Sequence, residues 1–255
     1  MNKIDVKGVG FHYPGKSRFS ISNLSISLPK KKVTALIGPN GSGKTTILRI
    51  LAGMLIPSAG ELLLDGKDYQ DFSRGQLAKK IGFLPQKENP SLDMSTNEYI
   101  LTGRAPYIPF WQTPSAKDRE IVGSILDKFN FQDLRETSIQ KVSGGEFQKI
   151  RLMRVFAQQT DILLLDEPTS HLDLKNRRMI LEMIRNEAAQ GMTIIFSTHD
   201  PDEASEIADH LILLQAGTAI RTGSTKNVFT KQNFEKLFSI PVEVVNINGK
   251  KVLVK

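Results

Sequence analysis

Gly38-Pro39-Asn40-Gly41-Ser42-Gly43-Lys44-Thr45 stands directly after the apolar run Val33–Ile37 and opens Lys44–Leu55, a stretch patterned as a helix. A short apolar run ending at glycine reads as a strand buried on both faces. The octapeptide fits the phosphate-binding pattern GxxxxGK[ST], in the strand-to-helix context that the pattern requires. Glycines let the backbone fold tightly so that its N–H groups point at phosphate oxygens, and the helix N-terminus adds positive potential. Lys44 is then placed to pair with β- and γ-phosphates, and the Thr45 hydroxyl to meet Mg²⁺. These residues predict an α/β core that binds a nucleotide.

Ile162–Leu165 and Thr193–Ser197 are two more buried-strand candidates, each ending at a polar cluster. Between them Lys175–Ala189 repeats apolar residues at helical spacing through Ile180, Leu181 and Ile184. The first of these strands delivers Asp166 and Glu167 at its C-terminal end. Neighbouring side chains on a strand point in opposite directions, so the two carboxylates can take different tasks. Asp166 suits the Mg²⁺ sphere, and Glu167 suits polarising an attacking water as general base. Residues 87–160 differ in character: Pro90, Pro106, Pro109 and Pro114 break the first half, and helical patterns return at Ala116–Phe129 and Glu146–Gln158. That predicts a mostly helical insertion in a sheet-based core. The tail predicts a helix over Thr225–Phe238, then strands Pro241–Ile247 and Lys250–Val254 flanking the hairpin signal Asn248-Gly249.

Composition narrows the class. The 255 residues are 40% hydrophobic and 24% charged, carry a net charge of +7 and include no cysteine. A disulfide framework and a Cys-ligated metal site are thereby excluded. Stretches free of charged residues reach about a dozen positions, as in 105–116 and 188–199, against the roughly 20 that a membrane helix needs. Met1–Gly10 lacks the apolar core of a signal peptide, which predicts a chain made and kept in the cytosol. The basic residues are scattered, and Lys30-Lys31-Lys32 reads as a solvated turn, so no nucleic-acid partner is expected. No aspartate after the phosphate loop has the DxxG spacing of a GTPase, and Asn2-Lys3-Ile4-Asp5 matches the guanine-reading NKxD with no strand before it. A second anion-seeking element is Val142-Ser143-Gly144-Gly145-Glu146, where bare backbone amides open a helix. Two phosphate-seeking elements in one chain suggest that two chains share each nucleotide.

With these motifs in this order, the sequence resembles the ATP-binding subunit of an ABC transporter over nearly its whole length. The resemblance implies a RecA-like P-loop core with an antiparallel β portion at the N-terminus and an inserted α-helical subdomain. The core would take about 1–86 and 160–224, the helical subdomain 87–159, and a short C-terminal helix and hairpin 225–255. It implies an ATP-binding set of Tyr13, stacking on adenine, with Gly38, Pro39, Asn40, Gly41, Ser42, Gly43, Lys44, Thr45 and Thr46. Gln86 takes the Q-loop position, reaching Mg²⁺ beside Thr45 and Asp166. His199 takes that of the switch histidine that contacts the γ-phosphate, and with Glu167, Gln86 and Lys44 completes the catalytic set. Ser143, Gly144, Gly145 and Glu146, with Asp173 of Ser170-His171-Leu172-Asp173, act across a head-to-tail homodimer. Further implied partners are integral membrane permease subunits and, indirectly, an extracytoplasmic substrate-binding protein. The protein would sit peripherally on the cytoplasmic face of the inner membrane.

The signature reads VSGGE where the family's commonest form is LSGGQ, so Glu146 adds a carboxylate near the second phosphate site. Thr102-Gly103-Arg104-Ala105-Pro106-Tyr107, followed by aromatics to Trp111, resembles a Gly-Arg-x-Pro segment in ATPases of iron-chelate (siderophore), haem and vitamin B12 importers. Gln159-Thr160-Asp161, the stretch Ser170–Lys175 and Leu237-Phe238-Ser239-Ile240-Pro241 resemble the same group. Molybdate or tungstate importers, and a soluble ABC ATPase such as an iron–sulfur assembly factor, are the alternative readings.

Overall fold

The computed structural model describes residues 2–14, 20–88, 93–247 and 249–254. The chain begins with β1 (Asn2–His12), β2 (Ser20–Pro29), β3 (Val33–Ile37), α1 (Lys44–Leu51), β4 (Ala59–Leu64), β5 (Lys67–Asp68), α2 (Arg74–Ala78) and β6 (Ile81–Leu84). Helices α3 (Thr96–Leu101), α4 (Ala116–Lys128) and α5 (Gly144–Ala157) follow. The second half runs β7 (Ile162–Asp166), α6 (Leu174–Ala189), β8 (Thr193–Thr198), α7 (Pro201–Ile207), β9 (His210–Gln215) and β10 (Thr218–Ser224). It closes with α8 (Thr225–Val228), α9 (Lys231–Phe238), β11 (Glu243–Ile247) and β12 (Lys250–Val254).

Six strands form the central sheet in the order β10-β9-β3-β8-β7-β6, parallel except at the β9/β10 edge. Every residue of β3, β7 and β8 is buried, which explains their continuous apolar runs. Alternation along these strands splits the interior into two cores. Ala35, Ile37, Leu163, Leu165, Ile194 and Phe196 pack with α5, α6 and the C-terminal helices. Leu36, Leu164 and Ile195 pack on the other face with α1 and an antiparallel sheet of order β2-β1-β4-β5. The expected antiparallel N-terminal portion is that sheet, laid over the P-loop core.

Parallel register has a direct consequence for function. Ile37 pairs with Thr198, Leu84 with Leu165, and Asp166 with Ser197, so β3, β6, β7 and β8 all end at one level. Open α/β sheets bind ligands outside the carboxyl ends of their strands. The loops leaving these four strands carry Gly38–Thr45, Gln86, Glu167 and His199.

Several boundaries differ from the sequence expectations for local reasons. α1 stops at Leu51 rather than Leu55, because Gly53 turns into the left-handed region (φ 69°) and Met54 donates back to the Arg49 carbonyl. The single helix expected over Thr225–Phe238 is two, since Thr230 takes an extended conformation and caps α9 through the Asn233 amide. α5 begins at Gly144, where Ser143 and Glu146 close a capping box. The same Ser-x-x-acid/Gln pattern starts α2, α3 and α4. β11 and β12 pair antiparallel around Gly249 (φ 81°) as the hairpin signal predicts; Asn248 of that signal, like Pro90, lies outside the described residues.

The Gly103-Arg104 pair is a packing device. A Cβ on Gly103 would sit 2.1 Å from the Arg154 carbonyl oxygen, so only glycine lets this 3-10 turn approach α5. Arg104 is buried, pairs with Asp118 at 2.9 Å and donates to the Ala157 carbonyl. Beyond that anchor Phe110 and Trp111 stand fully or largely exposed.

Candidate active site

β3 enters the phosphate loop at Gly38, where a Cβ would lie 2.3 Å from the Leu214 carbonyl oxygen, so the turn closes against β9 only with glycine. Gly41 and Gly43 both adopt positive φ (79° and 106°). Gly43 is the N-cap of α1 and offers no side chain, which leaves the first amides of the helix to an anion. Lys44, 5% exposed, folds back over the loop and donates to the carbonyls of Gly38 (2.8 Å) and Pro39 (3.3 Å). Its ammonium lies 3.7 Å from Glu167 Oε1. Burial pulls the Lys44 pKa below the ordinary lysine range, and the charges of Glu167 and Asp166 oppose that pull.

Ser197, at the end of β8, organises the tip of β7. Its hydroxyl donates to Asp166 Oδ1 (2.7 Å) and accepts from the Glu167 amide (2.9 Å). Asp166 is 1% exposed, and its Oδ2 has no hydrogen-bond partner among the described residues. Glu167 takes a left-handed backbone (φ 46°), a strained state for a non-glycine residue that the surrounding bonds must hold. The turn aims its carboxylate into the space beside the phosphate loop. There Oε2 accepts from Gln86 Nε2 at 2.9 Å and stands 3.6 Å from His199 Nδ1. Three groups from three different loops therefore converge on one carboxylate: Lys44, Gln86 and His199.

These side chains line a pocket of about 650 Å³ together with Tyr13, Asn40, Gly41, Gly43, Thr45, Thr46, Ser170 and His171. Tyr13 packs edge-on against Phe11 at the mouth, with its hydroxyl 3.4 Å from Thr46 Oγ1. Gly38, Pro39 and Ser42 support the loop from behind: Pro39 accepts the Ser42 amide at 3.1 Å.

Ser143, Gly144, Gly145, Glu146 and Asp173 do not line that pocket. They form a second cluster, where α5 and α6 begin side by side. A Cβ on Gly145 would lie 2.4 Å from Asn176 Nδ2, and Asn176 in turn bonds Asp173, the N-cap of α6. Glu146 turns its carboxylate inward on Ser143, accepting from both its amide (2.8 Å) and its hydroxyl (2.6 Å). Those two bonds hold the Glu146 carboxyl below the usual glutamate range.

Sequence reading did not single out Ser197, His171 or Glu203. Glu203 is 5% exposed and accepts from Thr198 Oγ1 (2.7 Å) and Thr169 Oγ1 (2.9 Å), with Arg177 Nε at 3.3 Å. It ties the loop after Glu167 to the end of β8, one residue before His199; burial raises its pKa above the ordinary range. The available signal was a glutamate on the apolar face of a helix directly following the polar strand end Ser197-Thr198-His199-Asp200. His171 lines the pocket in a left-handed conformation (φ 62°).

The sequence profile of the family described as "ABC transporter" matches residues 21–170. The petrobactin import ATP-binding protein FpuC of Bacillus anthracis is 34% identical over 233 residues, 91% of this chain and 86% of that protein. The iron(3+)-hydroxamate import ATP-binding protein FhuC of Bacillus subtilis is 34% identical over 246 residues, 96% of this chain and 91% of its own length. Among solved structures, a metal-chelate type ABC transporter in an inward-facing conformation superposes with a TM-score of 0.86 at 29% identity, covering 100% of this chain and 96% of that one.

Proposed function

The chain belongs to the ABC transporter family, whose cassettes bind and hydrolyse ATP, and from that premise we propose that it powers the import of a metal chelate of the iron-siderophore, haem or cobalamin type. The observation that carries the catalytic part is the convergence of Lys44, Gln86 and His199 on the Glu167 carboxylate inside the phosphate-loop pocket. FpuC, FhuC and the metal-chelate transporter support the cargo class.

In this reading ATP lies along the pocket with its adenine against Tyr13 and its phosphates over residues 38–46. Lys44 exchanges the Gly38 and Pro39 carbonyls for β- and γ-phosphate oxygens. That exchange replaces two uncharged carbonyls around a buried ammonium with charged phosphate oxygens. Glu167, held between Gln86 and His199, faces the γ-phosphate and takes a proton from the attacking water as general base. His199 moves from the carboxylate to the γ-phosphate.

The residues also fit Mg²⁺. A hard dication takes oxygen ligands, and Asp166 presents a buried carboxylate oxygen with no other partner among the described residues. Thr45 and the Gln86 side-chain amide line the adjacent pocket and would complete the protein's share. Such an ion neutralises charge that develops on the phosphates.

A second copy of the chain, arranged head to tail, supplies Ser143, Gly144, Gly145, Glu146 and Asp173 to each nucleotide. That none of the five lines the phosphate-loop pocket of its own chain supports this. The helical stretch 87–159 docks on permease subunits, and the assembly sits on the cytoplasmic face of the membrane with a substrate-binding protein opposite. No helix among the described residues is long and apolar enough to cross a membrane itself. The test is reconstitution with the cognate permease in proteoliposomes. ATP-driven accumulation of a ferric siderophore, haem or cobalamin is expected; accumulation of molybdate instead, or of none of these, rejects the cargo assignment.

A further inference from the structure

Gln148 and Arg151 stand three residues apart on α5, hence on one face of the helix. Both are buried, at 9% and 4% exposure. Buried polar side chains persist where their hydrogen bonds are met, and the partners met here are unusual. Gln148 Nε2 donates to the carbonyl of Pro168 at 2.6 Å, and Gln148 Oε1 accepts from Arg151 Nη1 at 2.5 Å. Arg151 continues the chain, donating through Nη2 to the Pro85 carbonyl at 2.5 Å and through Nη1 to the Gln86 carbonyl at 3.5 Å. Glu88 Oε2, held at 2.9 Å by Arg154, lies 3.5 Å from Arg151 Nε and closes the same loop.

Pro168 follows Glu167, and Pro85 precedes Gln86. The two side chains therefore bridge the backbones of the two loops whose own side chains meet in the Gln86–Glu167 hydrogen bond. Arginine suits this task because its rigid planar fork can serve two carbonyls at once. Glu167 needs such support, since its left-handed turn is strained.

We propose that Gln148 and Arg151 are positioning residues, a clamp by which the signature helix α5 fixes the separation of Gln86 and Glu167. The inference rests on the reading of Glu167 as general base. Its consequence is that α5, whose first residues form the phosphate site acting across the dimer, also sets the hydrolytic geometry of its own chain. A partner's nucleotide seated on Ser143 is thereby linked, through one rigid helix, to the water-activating pair of the other pocket.

The test is steady-state ATP hydrolysis by the full chain, with ATP affinity measured separately by fluorescent-nucleotide titration and folding checked by thermal melts. Arg151→Met is expected to lower kcat about 10- to 100-fold, the scale of a misplacement near 1 Å, with KM and ATP affinity moved less than about threefold. Arg151→Lys, which keeps the charge but not the fork, should recover part of kcat. Gln148→Leu should reproduce the Arg151→Met split and serves in its place where that variant does not fold. Wild-type kcat in a folded Arg151→Met or Gln148→Leu protein overturns the proposal, as does a fall in kcat matched by an equal loss of ATP affinity. Glu167→Gln, assayed alongside, separates the two levels. Near-normal turnover there removes the base assignment, whereas loss there with intact Arg151→Met turnover removes only the clamp.

Discussion

Replacing Ser197 with alanine removes one hydroxyl that serves two neighbouring acidic residues at the tip of β7. Ser197 is fully buried, donates to Asp166 Oδ1 at 2.7 Å and accepts the Glu167 amide at 2.9 Å. Alanine fits the site sterically, so the loss is confined to hydrogen bonding. A hydrogen bond to a charged group contributes about 1.5–3 kcal/mol, and a buried donor left without an acceptor costs about 1–3 kcal/mol. The effects share one atom and are not fully additive, so a destabilisation of about 3 kcal/mol is expected. For a chain of this size that lowers Tm by about 6–12 °C. Asp166 suffers most, because its second oxygen already lacks a partner among the described residues. Turnover should fall as well, by about tenfold or more, since the Glu167 backbone loses the anchor that sustains its left-handed turn. Differential scanning calorimetry and an ATPase assay on the same preparation read both quantities. A Tm within about 2 °C of wild type together with unchanged kcat refutes the reasoning.

Three further outcomes follow from single side chains. Thr34 lies within β3 with its hydroxyl buried and unpartnered among the described residues, so Thr34→Val should raise stability by about 1 kcal/mol; a loss of stability in urea melts contradicts the orphan assignment. Burial raises the Glu203 pKa, so its folded-state contribution is fully present below the unfolded value of about 4.3 and is lost as pH rises through the folded value. Wild type should therefore lose stability relative to Glu203→Gln on going upward from about pH 4, and parallel pH curves for the two proteins dispose of that claim. Glu146→Gln should change Tm little, within about 2 °C, because glutamine closes the same capping box on Ser143; a larger fall shows that the charge itself holds the start of α5.

Much of this site is legible in the sequence because its parts are local. The phosphate loop announces itself through spacing and glycine, and its glycines prove necessary at particular points: Gly38 against the Leu214 carbonyl, Gly41 and Gly43 at positive φ. Asp166 and Glu167 are legible from an apolar run ending in two carboxylates. The residues that hold them are not, because their meaning depends on register between distant strands. Ser197 matters only because β7 and β8 pair Asp166 with Ser197. Glu203 and Arg151 belong to no motif in the sequence, and their partners come from other elements through tertiary packing. The misplaced end of α1 and the split of α8 from α9 have the opposite cause. Both turn on single residues, Gly53 and Thr230, whose local conformations overrule an apolar period that runs through them.

The claim on which all else depends is that Glu167 activates water in a pocket built to hold ATP. Glu167→Gln keeps the shape of the side chain and its contact with Gln86 while removing the base. ATP affinity should stay within about threefold of wild type, and hydrolysis should fall by about 10²- to 10⁴-fold. If two chains share each nucleotide as proposed, analytical ultracentrifugation should then find an ATP-dependent dimer that persists, because that nucleotide is no longer consumed. Near-normal hydrolysis by Glu167→Gln, with ATP bound as in the wild type, contradicts the account at its centre.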